Sequence, residues 1–170
     1  MAGPLAYVDA DWASNHLDQK SVSGYVFIIA GGPISWSSKG QITVGLSSTE
    51  AEYMSLSEGV KQALYLNKLR RPLGLDMKEP TVIKIDNQSA IATAYAPGNT
   101  YSARMKHLDV RLHHIRDQIS DGTIQLVYCP TEIMAADVLT KALAGPVHRK
   151  MIKLLNLSGS DLPDSDKKHE

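Results

Sequence analysis

Cysteine is almost missing from this chain of 170 residues: Cys129 stands alone. That excludes an internal disulfide and a thiolate zinc cage, and fits a reducing, intracellular setting. Net charge is missing too, with 18 Lys and Arg against 18 Asp and Glu. A neutral chain has no strong free-standing affinity for a polyanion, so a nucleic-acid substrate is expected to need a tethered partner domain that raises effective concentration. No long apolar run is present. The richest, GYVFIIAGG at residues 24–32, is far too short to cross a bilayer, and no charged-then-apolar signal segment opens the chain. No membrane partner is expected.

What is present has the composition of a globular protein, 43% apolar and 21% charged, and the length of one self-sufficient domain. Residues 5–10 alternate as a strand, and 22–30 are β-branched and aromatic. Gly31-Gly32-Pro33 turns the chain into a third strand that could run to Leu46, with a bulge near Gly40. The period then changes. Leu56, Val60, Ala63 and Leu64 share one helical face, and Pro72 stops that helix near Arg71. A strand at 81–86, helices at 88–95 and 103–120, a strand at 123–128, and helices at 132–144 and 147–157 follow. Asp121-Gly122 is a helix-end signal. From Ser158 the chain is polar and without period, so 1–157 is expected to be the domain and 158–170 a disordered tail. The order β-β-β-α-β-α-α-β-α implies a mixed sheet flanked by helices, with its site beyond the carboxyl ends of the parallel strands.

Four acids stand at the junctions of these elements: Asp9, Glu52, Asp86 and Asp137. Each has a bland reading. Asp9 could begin a turn, and Asp11, two residues on, competes with it. Thr49-Glu50-Ala51-Glu52 fits a capping box, Asp86 could cap the next helix, and Asp137 could be an exposed helical acid. Helical geometry separates the glutamates: Glu52 lies about 40° from Leu56 and Glu50 about 240° from it, which sends Glu50 to solvent. Carboxylates from four remote segments would repel one another unless divalent cations lay between them. Together they point to a metal-dependent nuclease site.

The blocks YVDADWASN, SVSGYVFIIAGGPISWSSK, LSSTEAEYMSL, IDNQSAI, ARMKHLDVRLHHIRD and ADVLTKAL closely resemble the ribonuclease H domain of copia-type LTR retrotransposon polyproteins, from about Tyr7 to Leu143. The resemblance implies a ribonuclease H-like α/β fold with a five-stranded mixed sheet, three strands antiparallel and two parallel. It implies Asp9, Glu52, Asp86 and Asp137 as catalytic metal ligands, which settles Asp9 over Asp11 by analogy. Two Mg²⁺ ions, with Mn²⁺ able to substitute, an RNA–DNA hybrid substrate and a reverse transcriptase in the same polyprotein follow from the same likeness. So does a setting in the cytoplasm, within a retroelement particle, or in the nucleus. Ser48, Thr49 and Gln88 are implied hybrid contacts. Cys129-Pro130-Thr131-Glu132 offers no histidine ahead of the last aspartate, where cellular relatives carry one.

The helix bearing His107, Arg111 and His114 on one face, with Lys106 nearby and His113 beside them, lacks a carboxylate or cysteine to complete a zinc site on that face. Two readings stay open there. Lys106 and Arg111 could touch phosphates, or the histidines could be buried and bonded to Asp109 or backbone. Trp12 and Trp36 are expected in core or rim packing. The rival to the nuclease is a catalytically silent binding module on the same fold.

Overall fold

A computed structural model of the chain describes residues 3–12, 20–42, 47–75, 79–96 and 109–157. β1 (Leu5–Asp11), β2 (Val22–Ile29) and β3 (Gly32–Gly40) pair antiparallel in turn. The two-residue turn Ala30-Gly31 has positive φ at both positions, 52° and 82°, the geometry whose twist matches that of the flanking strands. The bulge lies not near Gly40 but at the other end of β3. Phe27 faces Ser35 and Ile28 faces Pro33, leaving Ile34 as the extra residue. Pro33 has no N–H to give a ladder, so pairing is interrupted beside it. β3 stops at Gly40, and 43–46 of the expected extension lie outside the described residues.

β4 (Thr81–Ile85) and β5 (Ile124–Tyr128) add parallel strands, giving the order β3-β2-β1-β4-β5. The expected five-stranded mixed sheet is therefore present, with two antiparallel and two parallel pairings. α1 (Ser48–Arg70), α2 (Gln88–Tyr95) and α3 (Asp109–Ser120) cover one face, over a core that includes Val8, Phe27, Leu56, Ile83 and Ile115. α4 (Asp137–Thr140) and α5 (Gly145–Leu154) lie towards the other, where Tyr7, Val26, Met134, Ala135 and Ala136 pack together. Alternation along β1 thus sends Val8 to the first face and Asp9 to the second.

Two glycines set how closely helices approach the sheet. A Cβ on Gly59 would stand 2.7 Å from Val8 Cγ2, so its absence lets α1 lie against β1. Gly24 faces Asp9 across the β1–β2 ladder, and a Cβ there would stand 2.6 Å from Thr140 Cγ2. That gap admits α4.

Several expectations need correction. Instead of one helix over 132–144 there is a 3-10 turn at Thr131–Ile133, then a break, then the four residues of α4. Met134, Ala135 and Ala136 are all fully buried, whereas a helix lying on a sheet buries only one stripe. α5 starts at Gly145 and ends at Leu154, ahead of the bounds 147–157. The start expected for the third helix, with Lys106 and His107, lies outside the described residues, as does the tail. The end of α3 is as expected: Gly122 has φ 68°, and the Thr123 amide donates to the Gln118 carbonyl. The helix cap at α1 is Ser47, whose side chain accepts from the Glu50 amide, so neither Thr49 nor Glu52 plays the capping part. Glu50 is buried, not solvent-facing. Residues 50–57 are all buried, with Gln41 reaching over from beyond β3 to donate to the Ala51 carbonyl, so this part of the helix has no solvent face. Both tryptophans are exposed, so neither is in the core.

Candidate active site

β1 and β4 are neighbours in parallel register, Tyr7 beside Lys84. Two residues further along each chain come Asp9 and Asp86, side by side at the carboxyl ends. Glu52 reaches the same end from the start of α1, where it accepts from the Ala10 amide. Carboxylate oxygens of Asp9, Glu52 and Asp86 lie within 4.8 Å of one another. The fourth acid, Asp137, opens α4 and joins them through Lys141, whose Nζ lies 2.8 Å from Asp137 Oδ1 and 3.3 Å from Asp9 Oδ1. All four sequence-predicted acids are thus in one place, carried by β1, α1, the end of β4 and α4. The cap beside Asp86 is Asn87, which accepts from the Ala90 amide, so Asp86 is spared that role. Asp11, the rival of Asp9, is outside the cluster of three.

Neighbouring hydroxyls hold the frame. Thr140 Oγ1 donates to Asp9 Oδ2, Ser55 Oγ donates to the Asp9 carbonyl at 2.6 Å, and Thr131 Oγ1 donates to Asp86 Oδ2 at 3.0 Å. Burial, reinforced by the charges of Asp9 and Asp86, pushes the Glu52 carboxyl up to about 9. Burial also lifts Asp9, to about 6, against the pull of Lys141 and the Thr140 hydroxyl. Asp137 is raised by burial as well. Burial works against the charge on Lys141, but Asp9 and Asp137 outweigh it and hold the ammonium above its usual range. Protons or cations must supply the positive charge that water cannot.

The residues fit a hard divalent cation. Every donor is a carboxylate oxygen, the preference of Mg²⁺ and Mn²⁺ and not of a thiolate- or imidazole-seeking metal. Glu52 Oε2 is buried and, among the described residues, has no hydrogen-bond partner. An acceptor left so is costly unless something positive comes to it.

The other predicted residues divide. Ser48 and Gln88 are exposed and Thr49 half-buried, a few residues before Glu52 and two after Asp86. Arg111 is elsewhere: it lines a cavity of ≈ 290 Å³ with Ser23, Lys39 and Gln41 and faces Glu58 at 3.7 Å. His113 faces Asp109 at 3.5 Å but is exposed, so at that position the buried-histidine reading does not hold. Sequence reasoning missed Thr140 and Lys141, three and four residues after Asp137. Helical spacing from Asp137 was the available signal for Thr140 alone, since Lys141 lies beyond the end of α4.

Sheet order, helix placement and acidic strand ends together define the ribonuclease H fold. The solved structure of LC11-RNase H1, isolated from compost by a metagenomic approach, matches with a TM-score of 0.60 at 18% identity, over 82% of this chain and 94% of that one. The same enzyme in complex with RNA/DNA hybrid matches at 0.57 and 16% identity, over 81% of this chain and 93% of that one. No protein-family model matches the chain. Its sequence is homologous to retrovirus-related Pol polyproteins of copia-type plant transposons. It is 42% identical to that of transposon TNT 1-94 of Nicotiana tabacum over 81% of this chain, and 40% identical to that of RE2 of Arabidopsis thaliana over 82%. The chain spans about a tenth of those polyproteins, 10% and 9%. No described helix is long and apolar enough to cross a membrane.

Proposed function

We propose that this chain is a metal-dependent endoribonuclease that cuts the RNA strand of RNA–DNA hybrids during retroelement reverse transcription. The observation that carries the reading is the meeting of Asp9, Glu52 and Asp86 oxygens within 4.8 Å, with Asp137 joined to them, on a fold shared with a ribonuclease H that binds RNA/DNA hybrid. Bound among these acids, two Mg²⁺ ions, or Mn²⁺ in their place, would activate a water and stabilise the leaving 3′ oxygen in an in-line displacement at phosphorus. Asp9, which lies within reach of Glu52 and Asp86 and shares Lys141 with Asp137, would help to hold both ions. Glu52 and Asp86 would hold the leaving-group side and Asp137 the water-activating side. Glu52, whose carboxyl burial pushes up to about 9, would have to give up its proton to hold a cation. No side-chain nucleophile takes part, and the products carry 5′-phosphate and 3′-hydroxyl ends.

Ser48, Thr49 and Gln88 form the rim that reads successive 2′-hydroxyls, groups that DNA lacks. A chain of zero net charge gains little from phosphates alone. A reverse transcriptase in the same polyprotein would supply the missing affinity by tethering. Such an enzyme works in the cytoplasm, inside a retroelement particle, or in the nucleus.

The test is incubation with a labelled RNA–DNA hybrid, with RNA–RNA and DNA–DNA duplexes as controls, with and without Mg²⁺. Cutting should be confined to the RNA of the hybrid and should need the metal. Asp86→Asn should keep the melting profile and lose roughly 10²-fold or more of the rate, as expected for a group stabilising transition-state charge. Full activity of D86N would refute the assignment.

A further inference from the structure

Lys141 has no task in the cleavage proposed above, yet it bridges two of the four acids. Its ammonium touches Asp9 Oδ1 at 3.3 Å and Asp137 Oδ1 at 2.8 Å, while the other oxygen of Asp9 is taken by the Thr140 hydroxyl. A divalent cation shared by Asp9 and Asp137 would compete with Lys141 for the oxygens that it holds. The ammonium is a compact point charge on a flexible stem, and its side chain is 29% exposed, which leaves it a way out towards solvent. The chain leaves α4 at Lys141 in extended conformation, φ −125° and ψ 147°, so the stem turns back into the site from beyond the helix end.

Charge decides whether it can stay. One ammonium does not balance the acids around it, whereas two divalent cations would neutralise all four carboxylates by themselves. An ammonium still in place would then be pressed against cations with no acid left over for it. We infer that Lys141 is a tethered counter-cation: it links Asp9 to Asp137 when no divalent cation is bound and gives way when one enters on the Asp137 side. Filling of that side is an exchange of one cation for another, and Lys141 sets the metal concentration at which it happens. The inference rests on the metal-dependent reading above. It makes Lys141 a positioning residue, not a catalytic one.

The full chain is titrated calorimetrically with Mn²⁺ and with Mg²⁺ as wild type, Lys141→Gln and Lys141→Arg. K141Q should bind at least about fivefold more tightly, the low end of the coupling usual between two competing ligands. K141R keeps the charge and should stay at wild-type affinity. In metal-free buffer K141Q should melt below wild type, and Mn²⁺ should raise its melting temperature by more than it raises that of wild type. A second measurement needs no variant. Acylation of the Lys141 amine, followed by peptide mass mapping, should be slow in EDTA and at least about fivefold faster with saturating Mn²⁺, by the same coupling; this arm decides if K141Q does not fold. Unchanged or weaker metal binding by a folded K141Q overturns the inference, and so does an amine no more reactive with metal than without. If wild type itself gives neither heat nor a melting shift with either metal, it is the metal-dependent reading that fails. Binding by wild type with both Lys141 measures unmoved sinks the counter-cation alone.

Discussion

Asp9 shows how a buried acid is kept in position. Its main-chain carbonyl is fixed by Ser55, one carboxylate oxygen by Thr140 and the other by Lys141. Replacing the hydroxyl by a methyl group leaves an acceptor in a desolvated site without its donor, which costs about 1–3 kcal/mol. Thr140→Val is therefore expected to lower the melting temperature in metal-free buffer, at about 2–4 °C per kcal/mol for a chain of this size. Thr140→Ser should largely restore it. Thermal circular dichroism checks this, and an unshifted T140V would mean that Asp9 is oriented by its other contacts. At this scale the four acids were legible because each stood at a junction between elements. Lys141 was not, because its part depends on where α4 ends, and three buried residues in a row, Met134 to Ala136, read as the start of a longer helix. Glu50 was misplaced by a rule that assumes every helix has a wet side.

Elements meet where glycine permits. Gly24→Ala would push a Cβ into Thr140 Cγ2 at 2.6 Å and Leu139 Cβ at 3.0 Å, displacing the helix that carries Asp137. Overpacking of this kind costs about 1–3 kcal/mol, and here it should also lower the rate of hybrid cleavage. Gly31→Ala makes the contrast. Nothing lies within 4 Å of the added carbon, but the residue has φ 82°, so the cost is backbone strain of about 1–2 kcal/mol, with the cleavage rate unchanged. Melting curves and initial rates on both variants separate the two effects; equal loss of rate in both would remove the special role of the β2–α4 contact. The strands and the long helix were readable because hydrophobic period maps directly onto one buried face. The bulge at Ile34 and the break before α4 were not, since both answer to what lies across from them and not to their own sequence.

Across the whole molecule the cluster sets how stability responds to pH. The folded chain holds protons on Glu52 and Asp9, to about 9 and about 6, that the unfolded chain gives up near the ordinary values of 4.5 and 3.8. Their contribution is full below the unfolded values and is lost as pH rises through the folded ones. In EDTA the melting temperature should fall between about pH 5 and pH 9 by this linkage, and Mg²⁺ should flatten the decline. Glu52→Gln should remove most of the slope, and a slope that survives E52Q assigns it elsewhere. Sheet order and the convergence of the acids were foreseeable from neighbouring parallel strands, although the reach between Asp9 and Asp137, spanning most of the chain, took the fold to reveal. That reach has a consequence for biosynthesis. Asp9 leaves the ribosome well before Asp137, so the four acids cannot meet in a growing polypeptide until α4 has emerged. On the proposed function, a fragment that lacks either end of that reach should be inert.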